Sequence, residues 1–95
     1  MIAEDELLER ELTLSRFRKL ILELLQGRTR RTGFERWEVD ILTDIANCRV
    51  GRRQRAGILR QYLKAVERQL ATGPGPPMKF STFLQTRRTR RPSRP

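Results

Sequence analysis

The chain has 95 residues, with 21 Lys or Arg against 11 Asp or Glu, one Cys and no His, for a formal net charge of +10. That length suits one small domain with a modest core. Without His, no Ser-His-Asp or Cys-His nucleophile can be assembled, and Cys48 alone provides neither a zinc site nor an internal disulfide. Neither enzymatic activity nor a cofactor is expected.

The opening MIAEDELLERE is acidic, unlike a signal peptide, and no apolar run is longer than Leu20-Ile21-Leu22. The expectation is a protein with no membrane span, cytoplasmic, or nuclear in a eukaryote.

The first predicted helix covers about Glu4 to Gln26. Leu14, Phe17, Ile21, Leu24 and Leu25 recur at steps of three and four, which places them on one helical face. Glu4, Asp5, Glu6 and Glu9 stand near its positive end, and Gly27 provides a stop. Leu7, Leu8, Leu12, Leu20 and Leu22 fall partly off the main stripe.

A second helix is expected to start at Thr32-Gly33-Phe34-Glu35, which has the form of a capping box with Thr32 as the cap. Its stripe is Phe34, Trp37, Ile41, Ile45 and Cys48. Glu38 projects beside that stripe, and a carboxylate near a core calls for a cation. Arg18 and Arg55 are the expected candidates.

After Val50-Gly51 a third helix runs from about Arg52 to Ala71. Ile58, Leu59, Tyr62, Leu63, Val66 and Leu70 cover one side, while Arg53, Arg60, Lys64 and Arg68 fall within about 80° on the other. The stretch Gly73-Pro74-Gly75-Pro76-Pro77 ends it. Met78 to Leu84 resumes with apolar residues, and Ser81 is placed to cap one short helical turn. Residues 86–95, with Arg87, Arg88, Arg90, Arg91 and Arg94, contain no apolar side chain and are expected to be disordered alone.

The fold expected is therefore all-α. A three-helix domain (residues 1–73) is followed by a linker and docking segment (74–85), which forms a short fourth helical element, and by a disordered basic tail (86–95).

Charge divides unevenly. Residues 1–48 carry 8 basic and 10 acidic side chains, whereas residues 49–95 carry 13 basic and 1 acidic. Of the basic residues 18 are Arg, whose planar forks suit phosphate better than a Lys point charge. A small nucleic-acid-associated binding protein is the first reading, for DNA or RNA. It would contact phosphates through Arg52, Arg53, Arg60, Lys64 and Arg68 of the third helix and through Arg87, Arg88, Arg90, Arg91 and Arg94 of the tail.

The second and third helices also have the layout of a helix-turn-helix, with Arg52, Arg53, Gln54 and Arg55 at the start of the third. The aromatics fall on predicted core faces, leaving no stacking platform for single strands. The other reading is a non-enzymatic protein-interaction adaptor or homo-oligomeric helical module that binds an acidic or apolar partner surface, on a second copy or another protein. It is based on the surplus leucines of the first helix and the apolar segment Met78 to Leu84.

Overall fold

The computed structural model describes residues 4–73 and 75–90, with positions 88–90 as backbone only. Its described residues form four helices and no strand: α1 (Glu4–Gln26), α2 (Arg36–Asn47), α3 (Arg52–Thr72) and α4 (Phe80–Arg90). The all-α architecture matches the 3.6-residue periodicity of the sequence. Residues 91–95 of the expected tail lie outside the described residues, as do the side chains of Arg88 and Arg90.

Local signals set the helix ends. Glu4, Asp5 and Glu6 occupy the first turn of α1, where carboxylates oppose the helix dipole. At its other end Gly27 takes φ +70, a left-handed conformation that favours glycine. The Gly27 amide then donates to the Leu24 carbonyl at 3.3 Å and the Arg28 amide to Glu23 at 2.9 Å, the pair of bonds that defines a Schellman stop.

The start of α2 differs from the Thr32 capping box expected above. Glu35 is the cap, its side chain accepts from the Glu38 amide, and the Glu38 carboxylate accepts from the Glu35 amide at 2.8 Å. Thr32 is exposed three residues upstream, because Gly33 turns the chain at φ +84 before the helix begins.

α3 lies along α1, while α2 packs chiefly on α4, which also touches α3. One core joins all four helices: Phe17, Leu20 and Ile21 from α1, Ile41 and Ile45 from α2, Ile58, Leu59, Tyr62, Val66 and Leu70 from α3, and Phe80 and Phe83 from α4. Leu14, Leu25, Phe34, Trp37 and Leu63 pack around it only partly buried. Leu20 faces fully inward, so it is not one of the surplus leucines.

The fourth element is longer than one turn and is integral to the core. Phe80 is 1% exposed and Phe83 6%. Both rings contact Tyr62, at centroid distances of 5.1 and 5.4 Å, and Phe17 meets Tyr62 edge-on at 5.1 Å. Such aromatic pairs each add about 1 kcal/mol beyond area burial.

Ser81 does not cap α4 with its hydroxyl. Its amide instead donates to the Asp44 carboxylate of α2 at 2.7 Å, so α2 supplies the negative charge at the start of α4. Gln69 of α3 holds the connecting loop, accepting from the Met78 amide and donating to the Pro76 carbonyl.

The Tyr62 hydroxyl donates to the Met78 carbonyl at 2.6 Å, and burial raises its pKa well above the usual phenol range. Tyr62→Phe should therefore destabilise the protein by about 1–3 kcal/mol, the usual consequence of leaving a buried acceptor unpaired. Urea denaturation followed by circular dichroism measures this directly.

Candidate nucleic-acid interface

The cations divide into those that hold the fold and those that face solvent. Glu38 is completely buried on α2. Its partners are Arg16 of α1 and Arg30 of the α1–α2 loop, neither of which was expected. The Arg16 guanidinium pairs with one carboxylate oxygen and donates to the Gly33 carbonyl at 2.8 Å. Arg30 donates to the other oxygen at 2.7 Å, reaches Glu23 at 3.1 Å and lies 4.7 Å above the Phe34 ring.

The expected partners are occupied differently. Arg18 pairs with Glu67 at 2.7 Å across the α1–α3 contact, and Arg55 is exposed. Arg30 is thus a structural residue, whereas Arg28 and Arg31 of the same α1–α2 loop are exposed.

Burial alone would raise the Glu38 pKa. The Glu35 amide, Arg16 and Arg30 outweigh it and hold the carboxyl below its ordinary value. Cys48, half-buried at the C-terminal end of α2, has its thiol pushed up by burial and by Asp44, which keeps it protonated.

The outer side of α3 is different in kind. Arg53, Arg60, Lys64 and Arg68 are all exposed, as are Arg52 and Arg55. Among the described residues none of these six side chains pairs with a carboxylate. Glu67, the single acid of residues 49–95, is already taken by Arg18.

The ridge from Arg53 to Arg68 extends about 22 Å at 1.5 Å per residue. No acid stands in the first turn of α3, and Gly51 caps it without a side-chain bond. Arg49, Arg52, Arg53 and Arg55 gather at that end, with the positive pole of the helix dipole among them. Arg49 was missing from the sequence-based set, since it precedes the helix and has no place in a helical face.

Arg87 is exposed on α4, with its guanidinium 6.0 Å from the centre of the Phe83 ring. Arg88 and Arg90 belong to the same helix by backbone; Arg91 and Arg94 fall outside the described residues.

The helix-turn-helix layout is not matched by close pairing of its helices. α3 lies chiefly on α1 and α2 chiefly on α4, a different pairing from the mutual packing of the two helices in a helix-turn-helix unit. Among the described residues no helix is long and apolar enough to cross a membrane. Comparison with protein families, with curated proteins and with solved structures finds no match to this chain.

Glu38 has a folded pKa below its unfolded value, so its stabilising contribution is full above the ordinary carboxyl range and declines as pH falls through the folded value. Glu38→Gln should destabilise the protein at neutral pH by about 3 kcal/mol, near the low end for a broken buried pair because Arg16 can rehydrate. The gap between parent and variant should stay constant above about pH 6 and narrow below about pH 4. Thermal melts across that range provide the check.

Proposed function

We propose that this protein is a small nucleic-acid-associated binding protein that contacts phosphates through the outer face of α3 and its arginine-rich C-terminal segment. The observation that carries this reading is the un-neutralised ridge of Arg53, Arg60, Lys64 and Arg68, with Arg52 also exposed at the start of α3. Exposed like charges on one helix face repel one another, and an arriving polyanion relieves that repulsion.

The start of α3 supports the same partner. Arginines there oppose the helix dipole and destabilise the isolated helix slightly, an arrangement that suits a bound anion at that end. Arg87, Arg88, Arg90, Arg91 and Arg94 would extend the contact along a second segment.

The mode of binding follows from what is buried. Phe17, Tyr62, Phe80 and Phe83 form the core, and Trp37 is partly covered. With those rings committed to packing, affinity would come from phosphate contacts rather than base stacking, with strong salt dependence and modest sequence preference.

Replacing Arg53, Arg60, Lys64 and Arg68 together by Gln should leave the melting temperature nearly unchanged, because exposed charges contribute little to folding. The slope of log affinity against log salt on duplex DNA should flatten by about 0.9 for each phosphate contact removed. An unchanged slope would exclude the ridge. Arg87, Arg88, Arg90, Arg91 and Arg94 are better exchanged for Gln than deleted, since α4 continues to Arg90. That variant should lose roughly 2 to 3 units of slope if three of the five arginines touch phosphate. Parallel titrations with duplex DNA and a structured RNA would show which is preferred.

A further inference from the structure

The outward side of α1 is a second surface, independent of the cationic one. Leu8, Leu12 and Leu22 are 56%, 65% and 51% exposed. Together with Ser15 and Lys19, both exposed, they follow steps of four, three, four and three. This is the spacing of a coiled-coil seam, and it lies half a turn away from Phe17 on the core side. Nothing in the core requires leucine at these places, because Phe17, Leu20 and Ile21 already fill the inward face.

We propose that this stripe pairs with the same stripe of a second copy, forming an antiparallel α1–α1 homodimer centred on Ser15. Antiparallel register about Ser15 sets each Leu8 opposite the partner copy's residue 22, so the leucines meet across both ends of the seam. Ser15 meets its own counterpart at the two-fold axis, where a small side chain allows close approach. Glu11, exposed beside the stripe, falls opposite residue 19 of the other copy. A carboxylate would thus face an ammonium twice in the dimer. The methylene stem of Lys19 would also cover Leu12.

Charge selects both the direction and the occupant. Residues 4–11 carry five acids, Glu4, Asp5, Glu6, Glu9 and Glu11, against the single base Arg10. A parallel pair would bring these acidic ends together, whereas the antiparallel pair separates them and opposes the two helix dipoles favourably. A symmetric, self-complementary patch is what a two-fold interface requires. An acidic face with leucines is unsuited to nucleic acid, so the dimer does not depend on the phosphate-binding reading. It would leave the α3 ridge open, because the inward face of α1 lies between the stripe and α3.

The test uses the full chain with Cys48→Ser, which removes the native thiol. In this background Ser15→Cys should form an intermolecular disulfide under mild oxidation. Leu8→Cys alone should not, whereas an equimolar mixture of Leu8→Cys and Leu22→Cys chains should. Sedimentation equilibrium of the parent chain should show a monomer–dimer equilibrium at micromolar concentration. Leu12→Glu should weaken it roughly tenfold or more while helicity is retained. Lys19→Glu should weaken dimerisation, and Glu11→Lys combined with Lys19→Glu should restore it. A parent chain that is monomeric at all concentrations overturns the proposal. Self-cross-linking of Leu8→Cys as efficient as that of Ser15→Cys would overturn the antiparallel register.

Discussion

The buried carboxylate of Glu38 is the constraint on which the first half of the molecule depends. A charge removed from water is unfavourable unless it is paired and hydrogen-bonded, and here three donors from three parts of the chain converge on it. Arg16 brings α1, Arg30 brings the connecting loop, and the Glu35 amide fixes the first turn of α2. Without a short loop of regular structure between α1 and α2, this network is what orients one against the other. It also holds the loop down, since both arginines reach the Gly33 carbonyl, at 2.8 and 3.4 Å.

A second junction, built on different chemistry, attaches α4. Tyr62 stands fully buried where α1, α3 and α4 meet, with Phe17, Phe80 and Phe83 around its ring and its hydroxyl on the Met78 carbonyl. Asp44 closes the arrangement by capping α4 from α2. Directional bonds at the rim therefore position an aromatic cluster whose burial is non-directional and whose edge-on ring contacts add a geometric preference of their own. This explains how an 11-residue helix with few apolar side chains is held.

Internal pairing also determines what remains outside. Arg16, Arg18 and Arg30 neutralise Glu38, Glu67 and Glu23 within the fold. The consequence is that a chain with both signs of charge displays a nearly pure cationic ridge on α3 and an acidic, leucine-bearing face on the first half of α1. The two surfaces call for different partners. An assembly that pairs the α1 faces would bring two cationic α3 ridges into one particle, a bivalent arrangement that would raise avidity for the proposed polyanion without any new contact to it.

The sequence by itself determined the helices, most of the inward residues and the uneven distribution of charge, because each is set within one helix by its period and its ends. The exposure of Arg53, Arg60, Lys64 and Arg68 was legible for that reason. Partner choice was not. Arg16 and Arg18 are about 200° apart on α1, on opposite flanks of the same apolar stripe, and periodicity cannot say which flank meets α2 and which meets α3. Only the packed arrangement assigned Arg16 to Glu38 and Arg18 to Glu67. Likewise, Ser81 at the start of α4 signalled a cap, but the charge there comes from Asp44, 37 residues away in the chain. Local chemistry specifies what each helix offers, and tertiary packing decides which offers meet.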